Sequence, residues 1–176
     1  MYHQAAKRAL ERLHINYLLK HFNLQLGNIN KGWDFFSDKH CFELKTRLYY
    51  LDRNFGNTWF GLPEKQCVNY KPQEGKEAYW LFMASMPAKP LGNVEKLTES
   101  YITHRDIFFV PWDVYQKYPL GTAKENNKLG PERHLSVVHL KELDFEIKSL
   151  PKANVYLYAG AGLEYLLKTC KTTSNF

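Results

Sequence analysis

Asp34, Glu43 and Lys45 combine residue types and a spacing that suit hydrolysis of a phosphodiester. They lie in the stretch Trp33-Asp34-Phe35-Phe36-Ser37-Asp38-Lys39-His40-Cys41-Phe42-Glu43-Leu44-Lys45-Thr46-Arg47. Two aromatic and apolar runs flank the turn-forming residues Ser37 to His40, which predicts a β-hairpin. Strand alternation puts Cys41, Glu43, Lys45 and Arg47 on one face, with Phe42, Leu44 and Leu48 on the other. A turn centred between Asp38 and Lys39 sets Asp34 opposite Glu43. Directly opposed Cβ atoms lie about 4.5–5.5 Å apart, and like charges there are destabilising. A hard divalent cation resolves the conflict, because Mg²⁺ takes oxygen ligands, commonly one or two carboxylates with water and substrate phosphate. Lys45 adds a positive charge two residues along the same face, able to orient or help deprotonate a water and to face the charge that develops on phosphorus. Taken singly, Glu43 and Lys45 also fit a solvated strand face, and Asp34 a turn-flanking acid.

The elements around this stretch have to position it. From Tyr2 to His21 the residues Ala6, Leu10, Leu13 and Tyr17 recur at helical spacing, widened by Ala9 and Leu18, which predicts an amphipathic helix ending before Gly27. Tyr49 to Gly61 holds a second turn at Asn54-Phe55-Gly56-Asn57. Pro63 suits a first helical position and Pro72 stops continuation, predicting a short helix over Glu64 to Lys71. Ala78 to Ser85 and Ile107 to Val110 read as buried strands, separated by a polar segment, Asn93 to Arg105, with room for a helix. Trp112 to Tyr118 reads as a helical turn, Leu120 to Arg133 as a long loop, Ser136 to Leu140 and Val155 to Tyr158 as strands, and Ala161 to Lys168 as a helix. The expectation is an α/β fold with a mixed central β-sheet flanked by helices, as one domain over residues 1–170 and a flexible tail at 171–176.

The helix, the Asp and the apolar strand around Glu-x-Lys occur in the order used by the PD-(D/E)XK nuclease superfamily, which the sequence resembles. Gly32 stands where the family's naming proline would be expected. Gln66-Cys67-Val68-Asn69-Tyr70 resembles the Gln-x-x-x-Tyr motif of the RecB-like branches, and its i, i+4 spacing puts both side chains on one face of a helix. The resemblance implies a restriction-endonuclease-like core, with Gln66 and Tyr70 beside the active site. It further implies that an acid of the first helix, here Glu11, completes a metal site made by Asp34 and Glu43. The products it implies are 5′-phosphate and 3′-hydroxyl ends. Mg²⁺ is the expected cofactor, with Mn²⁺ able to substitute. Gln66 and Tyr70 equally fit a capped surface helix with a buried tyrosine, and Glu11 a surface pair with Lys7.

In 176 residues, Lys and Arg outnumber Asp and Glu by 24 to 18, a formal charge of +6 that favours a polyanionic partner. The expected partner is DNA, with Arg47, Arg53, Lys31, Lys65 and Arg12 as candidate phosphate contacts. An uncharged apolar run long enough to span a bilayer is missing from the sequence, the longest being Tyr79 to Met86, and Met1 to Arg8 lacks a signal-peptide pattern. An intracellular, cytoplasmic protein is therefore expected. Cys41, Cys67 and Cys170 form no Cys-x-x-Cys pair, and the histidines show no zinc-binding spacing. The sequence reading is thus a Mg²⁺-dependent DNA endonuclease, for which a two-fold dimer is the simplest way to cut both strands. Its rival is a non-catalytic nucleic-acid-binding protein that retains the nuclease fold.

Overall fold

The computed structural model describes residues 4–28, 32–49, 59–63, 71–89, 96–117, 120–122 and 131–168. Its first element is helix α1, Gln4–His21. Ala6, Ala9, Leu10, Leu13, Tyr17 and Leu18 are all buried, so the stripe read from the sequence is the face that packs. Lys20 and His21 occupy the last turn, where the helix dipole favours positive charge.

The main sheet has seven strands: β1 (Gln25–Leu26), β2 (Phe35–Phe36), β3 (His40–Leu48), β5 (Glu77–Pro87), β6 (Ile102–Pro111), β9 (Phe145–Leu150) and β10 (Ala153–Tyr158). Their spatial order is β1-β2-β3-β5-β6-β10-β9. β3 with β5 and β6 with β10 pair in parallel, whereas the other neighbours are antiparallel, so the fold is α/β around a mixed sheet.

The central strands of the sheet are buried on both faces. Tyr79, Leu81 and Met83 of β5 meet Phe42, Leu44, Ile107, Phe109, Val155 and Leu157 under Tyr17, Leu18 and Phe22 from α1 and its end. On the other face Trp80, Phe82 and Ala84 join Phe108, Val110 and Tyr156. This is why β5 reads as an apolar run and not as an alternating strand. The second face is covered by helices α2 (Trp112–Gln116) and α3 (Val137–Lys141), and by a second sheet. That sheet comprises β4 (Trp59–Pro63), β8 (Pro131–Ser136) and β7 (Leu120–Thr122), in the order β4-β8-β7. Phe60 seats it on Phe82, with ring centroids 4.7 Å apart. Helix α4, Glu164–Lys168, packs Leu166 into the α1-side core.

Several expectations are corrected. The segment 120–133 contains strand β7 and the start of β8, which pair with each other, and β8 pairs in turn with the distant β4. Ser136 to Leu140 is mostly α3 and not a strand, because Val137 and Leu140, three residues apart, both face the second core. Pro63 is the last residue of β4, opposite Glu132. Among its described residues, from 96 on, the polar segment before β6 holds a 3₁₀ turn, Glu99–Tyr101, and β6 begins at Ile102. β1 and β9 were not anticipated. The predicted helix over Glu64 to Lys71 falls on residues 64–70, outside the described residues, as do the turn at 54–57 and the tail at 171–176. Among the described residues, no helix is long and apolar enough to cross a membrane.

Candidate active site

The β2–β3 hairpin is the element on which the site depends. The Ser37 amide donates to the His40 carbonyl at 3.0 Å, closing the turn around Asp38 and Lys39. Phe35 then pairs with Phe42, and Phe36 with Cys41. Side chains lock the turn from outside: Ser37 Oγ and the Tyr165 hydroxyl lie 3.1 Å and 2.5 Å from His40 Nδ1, while Lys76 Nζ donates to the Ser37 carbonyl at 2.6 Å. His40 Nε2 lies 3.4 Å from a Glu77 carboxylate oxygen.

Asp34 immediately precedes β2. Its main-chain carbonyl accepts from the Gly27 amide at 2.7 Å, and its Oδ2 accepts from the Leu44 amide at 2.8 Å. Gly27 is required by this approach, since a Cβ there would collide with the Trp33 carbonyl oxygen and the Phe36 ring. Glu43 lies within β3 and is only 4% exposed. Lys45 Nζ donates to Glu43 Oε1 at 2.7 Å, while the buried Glu43 Oε2 has no hydrogen-bond partner among the described residues. By pairing, Glu43 stands beside Trp80 and Lys45 beside Phe82, which puts both on the sheet face opposite α1.

The electrostatics fit carboxylates short of compensating charge. Burial, and next the Glu43 carboxylate, push the Asp34 pKa up to about 7, against the opposing pull of the Leu44 amide and the Lys45 ammonium. Glu11 on α1 adds the smallest of these influences, in the same direction as Glu43. Among the described residues, no group of three or more His, Cys, Asp or Glu side chains is arranged to hold a metal ion. The oxygen set at hand is the Asp34 and Glu43 pair, matching the one or two carboxylates that Mg²⁺ usually takes from a protein. The unpartnered, buried Glu43 Oε2 is the observation that fits a cation there.

The remaining sequence candidates divide. Arg47 is partly exposed on the same strand face, two residues beyond Lys45, with Nη1 donating to the Thr46 carbonyl at 2.9 Å. Glu11 is exposed on α1 and touches the site only through its field. Arg12 lines a separate groove of about 600 Å³, with Arg8, Asn16, Lys96 and Thr98 among its neighbours. Lys31, Arg53, Lys65, Gln66 and Tyr70 lie outside the described residues.

Sequence reading missed a second polar centre on the Glu43 face. Asp106 of β6 is 3% exposed. Its Oδ2 accepts from the Tyr49 hydroxyl at 2.5 Å and lies 3.2 Å from Lys141 Nζ. Its Oδ1 lies 3.3 Å from both the Tyr156 hydroxyl and His104 Nε2. Burial, together with Asp106, pushes the Tyr49 and Tyr156 hydroxyls above the ordinary tyrosine range. The available signal was an acid inside an otherwise apolar strand run, Asp106-Ile107-Phe108-Phe109-Val110.

No protein-family model, curated protein or solved structure matches this chain.

Proposed function

We propose that the protein is a Mg²⁺-dependent endodeoxyribonuclease of PD-(D/E)XK type, acting on DNA inside the cell. The observation that carries the reading is the incomplete neutralisation of Asp34 and Glu43: two neighbouring carboxylates, one with a pKa raised to about 7 and the other with a buried oxygen that has no partner among the described residues. A site that stayed empty of cations would hold these charges at a cost with no return.

Asp34 and Glu43 would hold the cation. Bound there, Mg²⁺ would supply Lewis acidity, both to the phosphate oxygens and to water. Lys45, tied to Glu43 Oε1, keeps its ammonium fixed at the reacting centre, where it can hold the attacking water and face transition-state charge. The Leu44 amide fixes the Asp34 carboxylate, so a main-chain group of β3 orients the acid that precedes β2. Arg47 continues the same strand face with a second cation suited to the phosphate backbone. A restriction-endonuclease-like arrangement of the sheet and helix α1 is part of the proposal, as is a dimer that presents one site to each DNA strand.

One observation favours the binding-only alternative: Lys45 already neutralises one Glu43 oxygen in an ordinary ion pair. Incubating supercoiled plasmid and branched DNA with the protein in Mg²⁺ or in EDTA separates the two. Cleavage is expected only with Mg²⁺, falling at least about 100-fold in Glu43→Ala and Lys45→Ala proteins whose circular dichroism is unchanged. Undiminished cutting by both variants would refute the site. Binding of DNA without cleavage on every substrate would establish the alternative.

A further inference from the structure

The two edges of the main sheet are unlike. β1 has two residues, whereas β9 has six, and among the described residues nothing pairs with the outer side of β9. Its middle residues Glu146, Ile147, Lys148 and Ser149 are all exposed, and Ile147 is 64% exposed. A long, exposed edge strand is a template for pairing with another chain.

β9 and β10 are joined by the two-residue turn Pro151-Lys152, so Leu150 and Ala153 flank the turn and form a hydrogen-bonded pair. Alternation then directs the amides and carbonyls of Phe145, Ile147 and Ser149 outward, away from β10. A second copy of β9 running antiparallel has to match these outward residues with one another, which leaves three registers near the centre of the strand. Centred on Glu146, the pairing sets Glu146 against its own copy. Centred on Lys148, it sets Lys148 against its own copy. Centred on Ile147, it sets each Glu146 opposite the other chain's Lys148, twice, and stacks the two exposed isoleucines on the opposite face.

We propose that β9 is a homodimer interface, in which two chains pair antiparallel about Ile147 to form one continuous sheet through both molecules. The charges that would guard this edge against an unrelated strand become its self-recognition, because each acid meets a base only in the register that also aligns the outward backbone groups. The two-fold axis lies perpendicular to the sheet and preserves its faces. The Asp34, Glu43 and Lys45 clusters of both chains therefore open on the same side of the dimer. That consequence rests on the nuclease reading, whereas the pairing itself does not.

The mass of the full chain in solution, measured by sedimentation equilibrium without DNA or metal, tests the pairing independently of activity. Wild type is expected to be a concentration-dependent dimer. E146K and K148E should each weaken association by about tenfold or more, because both cross-strand pairs become like-charged. The double variant E146K/K148E, with the charges exchanged, should return to wild-type association. A wild type that stays monomeric at the highest soluble concentration would overturn the proposal, as would single variants that dimerise like wild type or a double variant that does not recover. Open-ended polymers of wild type would indicate head-to-tail pairing of β9 with β1 and would also overturn it. Circular dichroism of each variant separates lost pairing from lost folding.

Discussion

Glu43 and Asp106 are buried carboxylates on the same face of one sheet, 4% and 3% exposed, yet their surroundings differ. Asp106 lies on β6, flanked by β5 and β10, and is met by Tyr49, Tyr156, His104 and Lys141, so both of its oxygens have partners. Glu43 has one oxygen paired with Lys45 and one with no partner among the described residues, and Asp34, which feels its charge, is driven towards neutrality. A buried carboxylate that is fully compensated holds elements together; one compensated by half is open to a ligand that brings positive charge. Position agrees with this division. Asp106 joins the end of β3, strands β6 and β10 and helix α3, whereas Glu43 stands beside the two-residue strand β2, close to the edge of the sheet.

The strongest attempt to break the comparison is to remove Asp106. In Asp106→Ala the Tyr49 and Tyr156 hydroxyls lose their buried acceptor and Lys141 loses its counter-charge. The expected loss is about 3 kcal/mol, or roughly 6–12 °C in Tm for a chain of this size. On the proposed nuclease reading, cleavage per folded molecule should persist at low temperature. Thermal melts beside plasmid assays check this, and a variant that melts like wild type but fails to cut would move the catalytic role to Asp106.

Of the two carboxylates, only Glu43 was legible in the sequence, and the reason is distance along the chain. Asp34, Glu43 and Lys45 are brought together by one hairpin, whose turn residues and strand alternation are local signals; the pairing of Phe35 with Phe42 follows from them. The Asp106 partners come from residues 49, 104, 141 and 156, and no local pattern announces that meeting. The mixed α/β sheet was legible for the same reason as β5, a buried run with no helical gaps. The second sheet was not: β7 and β8 are short and lie about turn signals such as Asn126-Asn127 and Gly130, and the sheet is completed only by the pairing of β8 with β4, far away in sequence. β9 was missed although Phe145-Glu146-Ile147-Lys148 alternates apolar and charged residues with the period of a strand; its exposed, charged middle reads equally as solvated chain until it is paired with β10.

A smaller effect sharpens the contrast from the Glu43 side. If Asp34 and Glu43 are held in conflict, neutralising Asp34 should stabilise the protein without metal. Asn at position 34 can still accept from the Leu44 amide while removing the charge that faces Glu43. At pH 8 in EDTA, Asp34→Asn is expected to melt about 3 °C higher than wild type, corresponding to roughly 1 kcal/mol. At pH 4 the two should coincide. A lower melting temperature at pH 8 would mean that the Asp34 charge is satisfied, and the comparison with Asp106 would lose its basis.

The sign of that pH dependence also predicts how Mg²⁺ would act at the proposed site. The folded-state pKa of Asp34, about 7, lies above the ordinary aspartate value of 3.8, so the folded protein retains a proton that the unfolded chain has released. Stability contributed by this group therefore falls as pH rises from about 4 to about 7, and the full penalty stands above that range. A cation bound to Asp34 has to displace this proton below pH 7 and meets a free carboxylate above it, so its affinity increases with pH through the same window. Saturating Mg²⁺ should thus raise the wild-type melting temperature more at pH 8 than at pH 6, and should leave Asp34→Asn nearly unmoved at either. A charge pair serving only as surface would show no such difference, because non-specific screening by Mg²⁺ does not depend on one carboxyl proton. Scanning calorimetry at the two pH values, with Ca²⁺ as a second hard cation and Na⁺ matched in ionic strength, distinguishes site binding from screening.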